Sequence, residues 1–175
     1  FRSLRNIARR GLRENNVWTV ELLQNEAIKK LGKTEGPAAI EHLGPVLDNP
    51  NAPLQDLALA SIRKISHPDA IRYMIYSQYF DPEKRGPVLE EISRKHKDSE
   101  LKDHPDLRAL NLILPYLERD RQGKIIEKPW MIEKAFRFAQ EGRITSGNAE
   151  NRVLQLSRAT SLFSQFRELK QDARR

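Results

Sequence analysis

Apolar residues recur along this chain at helical spacing, with polar residues filling the intervals. Phe1, Leu4, Ile7, Ala8 and Leu12 share one face, with Arg2, Arg5, Arg9, Arg10 and Arg13 between them. That pattern predicts an amphipathic first helix ending around Gly11 to Asn16. A second helix is expected from about Val17 to Lys33, with Val20, Leu23, Ala27 and Leu31 inward and Gly32 in a left-handed cap near its end. Gly36-Pro37 opens a third, carrying Ile40, Leu43, Val46 and Leu47; proline in a first turn loses no helical hydrogen bond. Asp48-Asn49-Pro50-Asn51-Ala52-Pro53 reads as a turn. The next helix, about Leu54 to Ser66, buries Leu57, Ala58, Ser61, Ile62 and Ile65. His67-Pro68-Asp69 restarts the chain into Ile71, Met74, Ile75 and Phe80, with Tyr73, Tyr76 and Tyr79 three apart on the same helix. Asp81-Pro82 breaks it, and a helix from Val88 to about Lys97 follows with Leu89 and Ile92 inward.

A second His-Pro-Asp, His104-Pro105-Asp106, opens a segment with Leu107, Leu110, Leu112, Ile113, Leu114 and Leu117, which Pro115 should kink near its last turn. Asp120 to Lys128 is polar and reads as an exposed loop. Two helices close the chain: about Pro129 to Glu141, with Ile132, Phe136 and Ala139 inward, and about Asn148 to Gln171, with Val153, Leu156, Leu162, Phe163, Phe166 and Leu169. No segment alternates as a strand. The expected class is all-α, with roughly eight helices.

One stretch repeats itself. Ile28-Lys29-Lys30-Leu31-Gly32-Lys33 is echoed by Ile62-Arg63-Lys64-Ile65-Ser66-His67, and Pro37-Ala38-Ala39-Ile40 by Pro68-Asp69-Ala70-Ile71. The first offset is 34 and the second 31, so Thr34 to Gly36 are extra in the first copy. A period of about 20–50 residues on an apolar helical pattern is the mark of a stacked array in which no unit buries its own face.

These residues resemble HEAT repeats, in particular the short HEAT-like type of phycobilisome lyases. The matching text is Asn25-Glu26-Ala27-Ile28-Lys29-Lys30-Leu31-Gly32-Lys33, then Gly36-Pro37-Ala38-Ala39-Ile40-Glu41-His42-Leu43. It continues through Leu47-Asp48-Asn49-Pro50 into Leu57-Ala58-Leu59-Ala60-Ser61-Ile62. The likeness covers about residues 17–81; beyond them the spacing drifts and the Gly-Pro punctuation is lost. It implies a right-handed α-solenoid of antiparallel helix pairs over 1–119, an exposed loop over 120–128, and an irregular helical extension over 129–175 that packs on or caps the array. It also implies a binding scaffold, with an accessory subunit of an enzyme such as a chromophore lyase as a further reading.

Composition narrows the chemistry. The chain has 175 residues, 38% hydrophobic and 31% charged, which is polar for a globule but normal for a thin helical array. It has no cysteine, which excludes disulfides, thiol catalysis and thiolate metal sites. No apolar run approaches the ~20 residues needed to cross a bilayer, so a soluble protein is expected, with the cytoplasm favoured over a periplasmic or other compartment. It begins at Phe1 with neither an initiator methionine nor a signal-type segment, and is read as a fragment or processed chain. Net charge is +7, and residues 1–33 hold eight cations against three acids, whereas 51–100 hold eight of each sign. The excess lies at the ends.

Motifs for catalysis are missing from the text. There is no Gly-x-Ser-x-Gly, phosphate-binding glycine loop or His-Glu-x-x-His, and Glu90-Glu91 point about 100° apart on a helix. No enzyme activity, cofactor or small-molecule substrate is therefore expected. His-Pro-Asp matches the loop of J-domains in the triplet alone, and helix-start chemistry explains both copies. His96, Asp98, Glu100, Asp103 and His104 are metal-ligand types, but interleaved Lys95, Lys97 and Lys102 mark a solvated loop, so no metal is expected.

Lys29-Lys30 and Arg63-Lys64 occupy equivalent positions in successive units, so stacking would align them as a ridge. These four, with Tyr73 and Tyr76 as aromatic anchors, are the expected contacts with another protein. The same ridge with Lys33 and Arg2, Arg5, Arg9, Arg10 and Arg13 could track phosphates, making nucleic acid the alternative partner. HEAT-like alkylpurine DNA glycosylases are basic too, but use tryptophan at the lesion, and Trp18 and Trp130 sit at ordinary helix starts. The first helix could also lie on an anionic membrane surface, though packing onto the second helix is the simpler use of its apolar face. Against every one of these readings stands solvation of an outer face by long cationic side chains.

Overall fold

A computed structural model gives the three-dimensional structure of the chain and describes residues 17–33, 37–49 and 51–159. Among these the protein is all-helical, and extended pairing is confined to a single antiparallel bridge between Arg119 and Ile125. The chain divides into two compact units, Phe1–Phe80 and Asp81–Arg175. The expected arginine-rich first helix, with Arg2, Arg5, Arg9, Arg10 and Arg13, lies outside the described residues.

The first unit contains α1 (Val17–Lys33), a composite segment with α2 (Ile40–Leu43) at its centre, α3 (Ala52–Ile65) and α4 (Asp69–Tyr76). The middle segment begins as a 3-10 turn at Pro37–Ala39 and returns to 3-10 winding at Gly44–Asp48. Pro45 is the physical reason: it lacks an N–H and its ring crowds the carbonyl one turn back, so the α-helix cannot continue through it. The inward spacing survives the change of winding, with Ile40, Leu43 and Leu47 all at 0% exposure. Ala58, Ile62, Ile71 and Met74 complete this core, and burial of such side chains is the main stabilising term. On α1, among the side chains described, Ile28 is buried while Ala27 and Leu31 are only half-buried.

Two expectations change here. Gly32 is not a left-handed cap; it lies inside α1, and the left-handed residue is Ser66, at φ 50 and ψ 43, closing α3 with its N–H bonded to the Ile62 carbonyl at 2.6 Å. Tyr79 is not on the tyrosine helix. Ser77 turns extended and its Oγ donates to the Leu47 carbonyl at 3.0 Å, so α4 stops at Tyr76. The Asp48 carboxylate then accepts from Ser77 Oγ (3.1 Å) and the Gln78 N–H (2.8 Å), while Gln55 Nε2 donates to the Tyr79 carbonyl (2.9 Å). This knot seats Phe80 back in the core.

The second unit contains α5 (Pro82–Lys95), α6 (Pro105–Ile113), α7 (Pro129–Gln140) and α8 (149–159). The helix expected from Val88 starts six residues earlier. Asp81 caps it by accepting from the Glu83 N–H at 2.9 Å, Pro82 takes the first position, and Pro87 rides inside the helix. In place of a kinked helix at Pro115, α6 ends at Ile113 and tightens into a 3-10 turn over Leu114–Tyr116. Buried Asp106 at the start of α6 accepts from Gln140 Nε2 at the end of α7 (2.8 Å), so these packed helices run antiparallel.

Within 120–128, residues 121–123 are exposed but Ile125 and Glu127 are buried. Ile125 seats against Gly86 of α5, where a β-carbon would meet the Ile125 Cβ at 3.0 Å. Arg119 holds the turn from below, ion-paired with Glu90 and donating to the Gly123 carbonyl at 2.8 Å. Arg85 is itself buried, at 2% exposure. Burial pulls its guanidinium below the usual arginine range, and the carboxylate of Glu133 on α7 opposes that shift.

Candidate cationic face on the first unit

The face begins with two small residues. α1 packs on α3, and a β-carbon at Gly32 would lie 2.6 Å from Cβ and 3.3 Å from Cα of Ser61. Both residues fall near the C-terminal ends of their helices, so those two ends are brought together. Lys29, Lys30 and Lys33 lie within one turn of Gly32, and Arg63 and Lys64 within one turn of Ser61; all five are exposed. Four of them, Lys30, Lys33, Arg63 and Lys64, also occupy last turns, where cations complement the negative end of the helix dipole.

Glu26 reports the field these groups make. Its carboxylate accepts from Lys29 Nζ at 3.0 Å and is held below the ordinary glutamate range, first by that hydrogen bond and then by the charges of Lys29, Lys30 and Lys33. The side chain is fully exposed, so solvent screens the pair and its worth to the fold is small.

The expected tyrosines are elsewhere. Tyr73 is half-buried with its ring over Gly44, where a β-carbon would lie 2.5 Å from both Cδ atoms. Its role is to pack α4 against the composite segment. Tyr76 is exposed and ends α4; that helix begins four residues after α3 closes, so Tyr76 lies about 10 Å further along its axis. Tyr73 is thus taken up by packing, while Tyr76 stays exposed at the end of α4. Sequence reading missed Glu26 as part of this face and took Gly32 for a cap, because neither the crossing nor its partner Ser61 is visible as a motif.

The histidines have local duties. Nδ1 of His67 accepts from the Asp69 N–H at 3.3 Å, and Nδ1 of His104 from the Asp106 N–H at 3.3 Å. Each His-Pro-Asp therefore opens its helix with the imidazole as the acceptor for an orphan N–H. Nδ1 of buried His96 lies 3.0 Å from Ser99 Oγ, while Asp98, Glu100 and Asp103 are exposed. No helix among the described residues is long and apolar enough to cross a membrane. No family model, curated protein or solved structure matches the chain.

Proposed function

We propose that this chain is a non-catalytic scaffold of HEAT-like helix pairs in a right-handed α-solenoid, which docks an acidic surface of a partner protein on its α1–α3 cationic face. The observation that supports the reading is the contact of Gly32 with Ser61, which brings the C-terminal ends of α1 and α3 together, with exposed Lys29, Lys30, Lys33, Arg63 and Lys64 in or beside their last turns. The repeat supports it as well: α1 pairs with α3, and the Gly44 segment with Tyr73 of α4, so like elements of successive hairpins meet like. Clustered cations steer an acidic partner and raise its association rate.

A fluorescent poly-glutamate peptide and a 20-base-pair DNA duplex, titrated in parallel against wild type and the Arg63→Glu/Lys64→Glu variant, test this. The peptide should bind, weaken with salt and lose affinity in the variant. Tighter binding of the duplex, with a steep salt slope that shrinks in the variant, favours the nucleic-acid reading, which uses the same ridge together with Lys33 and Arg2, Arg5, Arg9, Arg10 and Arg13. Equal peptide affinity in wild type and variant overturns the proposed face.

A further inference from the structure

The second unit holds a cleft unrelated to the cationic face. It encloses about 490 Å³ and is lined by Arg108, Asn111 and Leu112 of α6, Ala139 of α7, and the loop that follows α7. That volume falls within the range of small-ligand sites. Gly142, at φ 71, turns the chain out of α7, a left-handed conformation that glycine adopts without strain. The loop is then fixed by Asn148, whose Oδ1 accepts from the Thr145 N–H at 2.8 Å and whose Nδ2 donates to the Arg143 carbonyl at 3.3 Å. Ile144 is buried beneath it, so the loop is anchored rather than draped.

The lining sorts into two kinds. Leu112, Ala139 and Ile144 make an apolar wall. Arg108, Asn111, Thr145 and Ser146 bring donors. Ser93 Oγ donates to Asn111 Oδ1 at 2.7 Å, which fixes the amide and leaves its NH2 as the outgoing group. Arg108 is exposed, and its guanidinium makes no ion pair or hydrogen bond among the described residues. An unpaired guanidinium presents a planar fork of donors that matches an oxyanion. The cleft supplies one cation, which balances a carboxylate and falls short of a phosphate dianion.

We propose that this cleft binds a carboxylate carried on an apolar group, with Arg108 taking the carboxylate, Asn111, Thr145 and Ser146 donating around it, and the Leu112–Ala139–Ile144 wall taking the apolar part. A free small acid and the C-terminal carboxyl of a peptide ending in leucine share this chemistry.

The test is a titration of the isotope-labelled full chain, read from backbone amide shifts. The probes are hexanoate, N-acetyl-leucine, N-acetyl-leucinamide, a tetrapeptide ending in leucine with a free carboxyl, and inorganic phosphate. The two small acids or the tetrapeptide should give saturable shifts centred on Leu112 and residues 142–146. Affinity should fall about tenfold in Arg108→Gln, the loss expected for one charge-assisted hydrogen bond. Tighter binding of the tetrapeptide assigns the site to a chain terminus, and tighter binding of the small acids to free ligands. Arg108 is exposed, so the variant should keep its spectrum outside the cleft. A second variant, Thr145→Val/Ser146→Ala, should weaken the acids without touching Arg108. The proposal is overturned by the absence of saturable shifts, by N-acetyl-leucinamide binding as well as N-acetyl-leucine, by phosphate binding as well as the acids, or by unchanged affinity in Arg108→Gln.

Discussion

At Gly32 a side chain would have to share space with Ser61: the hydroxyl is the nearest group, but Cβ at 2.6 Å and Cα at 3.3 Å also stand in the way, so turning the hydroxyl aside does not relieve the contact. Gly32→Ala should gain up to about 1 kcal/mol of helix propensity. It should lose more, about 1–3 kcal/mol, by prying α1 from α3. Urea denaturation should therefore show a net loss, and adding Ser61→Gly should recover most of it, since only the 3.3 Å approach to Ser61 Cα then remains. A stabilised Gly32→Ala would mean the helices do not meet there. Residue identity alone misled at this position: glycine one residue before a helix end reads as a left-handed cap, yet Ser66 holds that conformation. The echo aligns Gly32 with Ser66, so equivalent places in the repeat carry different duties. Arg85 was equally opaque, because charged residues are almost never buried without a partner, and its partner charge, Glu133, is 48 positions away.

Helices were legible where apolar spacing could speak. Ile40, Leu43, Leu47, Ile62, Ile71, Met74, Leu107, Leu110, Ile132 and Phe136 were all expected inward and all are buried. What the text obscured was where elements begin and end, since that depends on which competing local bond wins. Asp81-Pro82 reads as a break, and it is one for α4, but the same pair caps and starts α5. Pro87 lies inside this helix, where a proline removes one hydrogen bond and crowds the preceding turn. The helix runs through it because Val88, Leu89 and Ile92 bury on one side while Pro87 faces solvent. Pro87→Ala should restore the bond to the Glu83 carbonyl and raise stability by about 1–3 kcal/mol, less the entropy that proline removes from the unfolded chain. A higher melting temperature supports this account. An unchanged or lower one means the helix gains nothing from the missing N–H.

Over the whole molecule, the charge excess does not lie in the described part of the first unit, where six cations meet six acids; the five cations of the face are a local cluster, and the arginine-rich opening lies outside the described residues. The exposure of the five cations could be read from their places between apolar positions. That the ends of α1 and α3 come together could not, because it depends on Gly32 meeting Ser61, and Tyr73, grouped with the cations by sequence, packs on Gly44. The cleft in the second unit left no trace in the text, since its donors come from α6 and from a loop some thirty positions later. Glu26 offers a pH-dependent probe of the cationic field. Its folded pKa lies below its ordinary value of 4.5. The carboxylate's favourable contribution is thus present above that value and is lost as pH falls through the folded midpoint. A carboxyl-detected titration should place Glu26 below 4.5, moving back toward it in Lys29→Gln and at high salt. A midpoint insensitive to both would remove the field.

On the proposed face, how near the two cationic helix ends come is set by the want of a side chain at Gly32, not by the charged groups themselves. Exchanging lysine for arginine would alter the grip on an anionic object, whereas a single methyl group at the seam would change which objects fit.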